Sequence, residues 1–144
     1  MRPDDALEDA LVRTSFRVMA VLTRIGAEHD LSLTQLRLLG ILRDRRPRMT
    51  DLAAFLGLDK STMSGLVERA ERRGLVARGK SPGDRRVVDV FITPAGRDLA
   101  ERLQGEVRSA LEPLTGRLEA DDRQALTRLL DSVSGGSPAD DRPS

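Results

Sequence analysis

The sequence predicts a mainly α fold of six helices that carries one small β-hairpin. Three observations lead there. Apolar residues recur at three-, four- and seven-residue spacings through most of the chain, Ser, Thr or Asp stands ahead of several of those runs, and only residues 87–92 show the two-residue alternation of a strand. With 144 residues the chain has the length of one domain, enough to bury a core.

Leu7, Leu11, Val18, Leu22 and Ile25 form the apolar stripe of a first helix of about six turns, which the stretch from Gly26 to Asp30 ends. Ser32 and Gln35 have the spacing of a capping box, a serine oxygen for an orphan backbone N–H and a glutamine reaching back. A second helix follows through Leu36, Leu39 and Leu42 to the neighbourhood of Arg45. Pro47 breaks it, and Thr50 is placed to cap a short third helix through Leu56 by accepting from the N–H of Leu52 or Ala53. After the turn Gly57-Leu58-Asp59, Asp59 caps a fourth helix over 60–73, and Gly74 supplies the left-handed residue that closes it. The third and fourth helices make a helix-turn-helix pattern.

Residues 75–78 and 87–92 read as strands joined by a basic loop over 79–86, with Val88, Val90 and Ile92 toward one face. Thr93 caps a fifth helix and Pro94 opens it, where its missing N–H costs nothing. Leu99, Leu103, Val107, Leu111, Leu114 and Leu118 give this helix a long apolar seam that Pro113 is predicted to kink or end early. Asp121 and Gln124 cap a sixth helix carrying Leu126, Leu129, Leu130 and Val133, and residues 134–144, rich in Ser, Gly, Pro and Asp, are predicted to be disordered.

The net charge of +1 hides a segregation. Residues 37–86 hold 13 basic and 6 acidic side chains, a net of +7, against 11 basic and 17 acidic, a net of −6, in the remainder. An electropositive middle lobe on acidic flanks points to a polyanionic partner. No apolar run approaches the roughly 18 residues of a membrane span, and the opening Met1-Arg2-Pro3-Asp4-Asp5 lacks a signal sequence, so a cytoplasmic location and no membrane partner are expected. The absence of cysteine excludes disulfides, thiolate metal sites and thiol redox sensing, and the single His29 cannot build a histidine cluster. No metal and no cofactor are expected.

In a helix-turn-helix the first helix braces the second, whose N-terminal residues face outward toward a DNA groove. Lys60, Ser61, Thr62, Ser64 and Gly65 are small or polar there, which lets the backbone approach bases and phosphates, and Arg69 joins this predicted contact set, while Leu66, Val67 and Ala70 turn to the core. The hairpin tip carries Arg85 and Arg86 beside a Pro-Gly turn, an arm able to place a guanidinium in a narrow minor groove. Asp84 is expected to hold one arginine by a bidentate pair. A plain helical hairpin with a solvated polar face and an ordinary surface turn are the blander readings of the same stretches. Their adjacency favours a winged helix-turn-helix that contacts double-stranded DNA.

In this order of elements the chain resembles the multiple-antibiotic-resistance regulator (MarR) family over residues 6–133. The likeness is carried jointly by Asp59-Lys60-Ser61-Thr62-Met63-Ser64, Glu71-Arg72-Arg73-Gly74-Leu75-Val76, Asp84-Arg85-Arg86 and Thr93-Pro94-Ala95-Gly96. The resemblance implies a homodimer built from the N- and C-terminal helices, a recognition helix in the major groove and a wing arginine in the minor groove. It also implies a pocket for a small-molecule effector between the dimerisation and DNA-binding parts. Members usually repress, and some activate. Gly65 departs from the many members that place a base-contacting Arg or Lys there, so the resemblance implies the docking mode but not the base preference. The lack of cysteine argues against the peroxide-sensing branch, and the lone histidine against the metal-sensing branch.

Gly74-Leu75-Val76-Ala77-Arg78-Gly79-Lys80-Ser81 matches the phosphate-binding pattern G-x-x-x-x-G-K-S, but a helix precedes it and Pro82-Gly83 follows, the reverse of the strand-then-helix order that such a loop needs. The pairs Asp4-Asp5 and Asp121-Asp122 read as helix-start charges, because neighbours along a helix do not face each other. No Ser-His-Asp set can be assembled around His29, which reads as a solvated helix-end residue with a place in a ligand pocket as its alternative. The expected organisation is a dimerisation helix over 1–30, a winged helix-turn-helix over 31–93, dimerisation helices over 94–133 and a tail over 134–144. The expected function is a non-enzymatic, sequence-specific regulator of transcription, a small-molecule-responsive repressor that binds a pseudo-palindromic operator as a homodimer. The alternative, motivated by the small total charge, is a winged-helix module that binds protein.

Overall fold

The computed structural model describes residues 2–135. Its elements are α1 (Pro3–Glu28), α2 (Leu33–Leu42), α3 (Met49–Leu56), α4 (Lys60–Arg72), β1 (Val76–Ser81), β2 (Asp84–Ile92), α5 (Pro94–Thr115) and α6 (Ala120–Ser134). The mainly α architecture of six helices with one antiparallel hairpin is as the sequence predicts. Among the described residues no helix is long and apolar enough to cross a membrane.

The core lies between α2, the helix-turn-helix and the base of the hairpin. Leu38, Leu39 and Leu42 of α2 meet Leu52 of α3, Met63 and Val67 of α4 and Val90 of β2, all fully buried. Each such side chain contributes about 1.5–3 kcal/mol on burial. Ile25 at the end of α1 and Ala100 and Leu103 of α5 close this core from the other side.

The short connections are held by specific groups. Ser32 accepts from the Gln35 amide at 3.1 Å, but the other half of the predicted capping box is missing. The buried Gln35 side chain turns inward and donates to the Leu66 carbonyl at 3.0 Å, tying α2 to α4. Gly57, with φ +66°, ends α3 in the left-handed region, and Gly74, with φ +72°, does the same just beyond α4. Thr93 Oγ1 donates to the Gly74 carbonyl at 2.6 Å and accepts from the Gly96 amide at 3.0 Å. A Cβ on Gly96 would stand 2.0 Å from the Leu75 carbonyl oxygen, so only glycine lets α5 start against the end of the helix-turn-helix.

Several expectations about detail are corrected. Helix α2 stops at Leu42 with Arg43 as its cap, short of Arg45. Arg48, not Thr50, is the N-cap of α3 and makes no side-chain cap. It is held extended by its bridge to Asp89 of β2, so the helix starts directly after it. Helix α6 likewise starts from Glu119 rather than from an Asp121 and Gln124 box, leaving Asp121 and Asp122 in the first turn, where the helix dipole favours negative charge. Helix α5 runs two residues past Pro113 and stops at Thr115, so Leu118 falls in the following turn.

The hairpin is longer and tighter than predicted. Its strands run to Ser81 and Asp84 and leave Pro82 and Gly83 as the turn, with a register shift between Lys80 and Ser81 that leaves 85–87 without cross-strand partners. Arg85 and Arg86 thus sit at the start of β2 and not in a loop. The alternation of β2 also fails in part, since Val88 is exposed while Asp89 and Val90 are both buried. Val88 lies past the edge of the core, toward the tip, and the face opposite Val90 is covered by Arg46, which pairs with Asp89. At the C-terminus, Ser134 closes α6 and Gly135 caps it, so the predicted tail begins later than 134, and its remainder, 136–144, lies outside the described residues.

Candidate nucleic-acid interface

Helix α4 presents its first turn to solvent because Asp59 caps it from outside. Asp59 Oδ1 accepts from the Thr62 amide at 2.7 Å and from the Ser61 hydroxyl at 3.0 Å. The bond from Thr62 above all, then that from Ser61, holds the Asp59 carboxyl below the usual carboxylate range. The cap therefore stays charged through neutral pH. Ser61 has its proton engaged by this carboxylate, so toward a base it is an acceptor.

Lys60, Ser61, Thr62 and Arg69 are exposed, Ser64 and Gly65 are half-buried, and Met63, Leu66, Val67 and Ala70 are buried. The helix therefore has the predicted polar outer face and apolar inner face. A Cβ on Gly65 meets nothing closer than Arg69 Nη1 at 3.6 Å, which leaves room for a side chain.

The hairpin stands beside this face. Arg86 of β2 joins Lys60 and Ser64 of α4 around a groove of about 420 Å³, whose walls also carry Arg48, Thr50 and Arg78. Four cations, of which Arg78 is paired with Glu71 at 2.8 Å, thus surround one concavity between α4 and the hairpin. Of the predicted residues, Lys60, Ser64 and Arg86 meet there, while Arg85 is exposed outside its walls. Arg48 and Arg78 are not among the contacts that the sequence predicts. The basic run Arg45-Arg46-Pro47-Arg48 is the signal that points to the first of them, although its proline reads locally only as a helix breaker.

Asp84 does not hold an arginine in a bidentate pair. Its Oδ1 accepts from the Arg86 amide at 3.0 Å and lies 3.5 Å from Arg86 Nε. With the carboxylate engaged by the backbone two residues on, it shapes the turn, and the Arg86 side chain is left 94% exposed. His29 is not a merely solvated helix end either, since its Nε2 lies 2.8 Å from Glu106 Oε2 and links the end of α1 to α5. The look-alike of a phosphate loop is a helix cap followed by β1, with a turn where a helix would have to begin.

A braced helix with an exposed polar first turn, flanked by an arginine-bearing hairpin, defines a winged helix-turn-helix protein. The chain belongs to the MarR family, whose model matches residues 29–87. The homoprotocatechuate degradative operon repressor of Escherichia coli is 31% identical over 143 residues, 96% of each chain. Among solved structures, CouR of Rhodococcus jostii RHA1 bound to p-coumaroyl-CoA is 25% identical, with a TM-score of 0.76 over 91% of this chain and 93% of that one. Bordetella bronchiseptica BpsR, whose DNA binding is regulated by 6-hydroxynicotinic acid, is 28% identical with a TM-score of 0.73 over 95% and 99% of the two chains.

Proposed function

We propose that this chain is a cytoplasmic, non-enzymatic repressor that binds a pseudo-palindromic operator as a homodimer and releases it on binding a small aromatic acid. The observation that carries the DNA reading is the groove that Arg48, Lys60, Arg78 and Arg86 surround between α4 and the wing. Arg48, Lys60 and Arg86 neutralise phosphates, Arg78 being paired with Glu71, while the outer face of α4 reads base edges. Lys60, Ser61, Thr62, Ser64, Gly65 and Arg69 belong to the reading helix, and Arg85 and Arg86 to the wing, which Asp84 shapes. Residues 31–93 do this work, and 1–30 with 94–133 pair the two copies.

The effector reading rests on a second cavity. An apolar cleft of about 220 Å³ between α1, α2 and α5 is lined by Leu22, Leu36, Leu39, Leu103 and Val107, with Arg43, Gln104 and Arg108 among its walls. Aliphatic walls with guanidinium groups suit a single aromatic ring bearing a carboxylate. The ligands of similar proteins, p-coumaroyl-CoA for CouR and 6-hydroxynicotinic acid for BpsR, carry aromatic rings. Arg43 also donates to Gln104 of α5, so an anion that recruits Arg43 competes with a contact between α2 and α5.

The test is the salt dependence of binding to duplex selected by the protein from its own genome. Log affinity should fall with log salt at about −0.9 per phosphate neutralised, and Arg85→Ala or Arg86→Ala should reduce that slope by about one for each phosphate that the variant no longer neutralises. Hydroxylated aromatic acids should displace the duplex from the unmodified protein and do so less well from Arg43→Ala. A flat salt dependence would instead mark the fold as a protein-binding module.

A further inference from the structure

We propose that Arg46 and Asp89 form a clamp that fixes the wing relative to the recognition helix, making them positioning residues for DNA binding that need not touch DNA. The inference rests on the wing-on-DNA reading and goes beyond it in naming what aims the wing.

Asp89 is a charged side chain on a hairpin, yet it is only 4% exposed. A buried carboxylate is costly unless it is paired. Its Oδ2 accepts from Arg46 Nε at 3.3 Å. The same guanidinium donates through Nη2 to the Lys80 carbonyl of β1 at 3.4 Å, and its carbon lies 4.3 Å from the centre of the Phe91 ring. One side chain from the α2–α3 connection therefore grips both strands by three different interactions, a charge pair, a hydrogen bond and a stack on an aromatic face. Gly79, the register partner of Asp89, keeps the place open, since a Cβ there would stand 3.1 Å from Phe91 Cε1 and 3.5 Å from Arg46 Nη2.

The base of the hairpin is packed into the core through Val76 and Val90, while its backbone ties to the segment before α3 are few. Val90 donates to the Pro47 carbonyl at 2.9 Å, and Arg48 forms a single bridge with Asp89. Beyond that base a two-stranded hairpin is marginal in water, so an arm that must deliver Arg86 to a defined point gains from an anchor nearer its tip. The residues from Arg46 to Arg48 supply it, and they lead directly into α3, which braces α4. Arg48, two residues on, lines the groove next to Arg86. The clamp thus ties the aim of the wing to the position of the helix-turn-helix, and loosening it raises the entropic cost of every wing contact without removing any group that makes one.

The chain contains no cysteine, so Gly83→Cys gives a unique thiol for a fluorophore at the wing tip, where no side chain crowds the added Cβ. In Arg46→Met, which keeps a stem over Phe91, the nanosecond mobility of that probe should rise in the free full-length protein. On a duplex that the unmodified protein selects from a random-sequence pool, Arg46→Met should weaken binding roughly tenfold, short of the roughly hundredfold that a misplacement of about 1 Å can cost. The salt slope should stay unchanged. In an Arg85→Ala, Arg86→Ala background the same change should cost nothing further. Asp89→Asn, nearly isosteric and uncharged, should show the same pattern with a smaller loss and serves if Arg46→Met does not fold. An unchanged tip mobility, losses that add to those of the wing arginines, or a slope reduced by about one, which marks Arg46 as a phosphate ligand itself, would each overturn the clamp. If removing both wing arginines leaves affinity intact, the wing-on-DNA reading fails, while the mobility of the tip still decides whether Arg46 anchors it.

Discussion

Gly65 lies half-buried on the outer half of α4 with open space above its Cα. Gly65→Arg should therefore fold normally and change which bases are preferred, guanine being the commonest partner of arginine. The gain should be about 1–3 kcal/mol of discrimination at one position, read by repeating the selection with the variant. An unchanged preference would mean that α4 is not the reading helix. At this scale residue types mark the caps and the left-handed turn at Ser32, Asp59, Gly74 and Thr93, but mislead at Thr50 and Asp121, since those helices start from Arg48 and Glu119 without a side-chain cap. They were silent where a partner comes from far along the chain. Gln35 has the spacing of a local capping residue, yet it is the tie to Leu66, 31 positions away. Asp89 has the place of a polar step in an alternating strand, yet it is the buried half of an ion pair with Arg46.

The joint between the helix-turn-helix and α5 leaves no room for a side chain at Gly96. Thr93 bonds back to Gly74 while Gly96 packs on the Leu75 carbonyl, so the motif Thr93-Pro94-Ala95-Gly96 is a weld and not only a helix start. Gly96→Ala forces a methyl into that backbone oxygen, and its cost should reach or pass the upper end of the usual overpacking range, about 3 kcal/mol. Urea unfolding should show a lower midpoint at an unchanged slope, and a loss below about 0.5 kcal/mol would mean that the joint relaxes. Element types and order were legible because each helix carries its own apolar period, while the reach of the hairpin was not. Strand pairing at its tip depends on cross-strand register around Pro82 and Gly83, which no periodicity within a single strand records.

Across the whole molecule the terminal helices leave their apolar faces bare. Leu7 and Phe16 of α1 are 64% and 63% exposed, Val133 of α6 reaches 70%, and α6 buries none of its residues. Such surface on one copy is the mark of an interface with another. Changing Leu129 and Val133 together to Glu should convert the dimer to a monomer in sedimentation and weaken operator binding by on the order of a hundredfold, because a monomer engages only one half-site at a time. A stable dimer with unchanged affinity would contradict this use of α6. The six helices, the helix-turn-helix, the hairpin, the basic middle segment and the outward face of α4 were legible in the chain, because these follow from period, caps and charge along neighbouring residues. Not legible there were the gathering of Arg48 and Arg78 with Lys60 and Arg86 around one groove, the use of Asp84 in shaping a turn instead of gripping a guanidinium, and the pairing of Arg46 with Asp89. The first and last depend on which residues from separate segments arrive at the same place, which folding alone sets, while the role of Asp84 depends on the local turn geometry that residue types leave open.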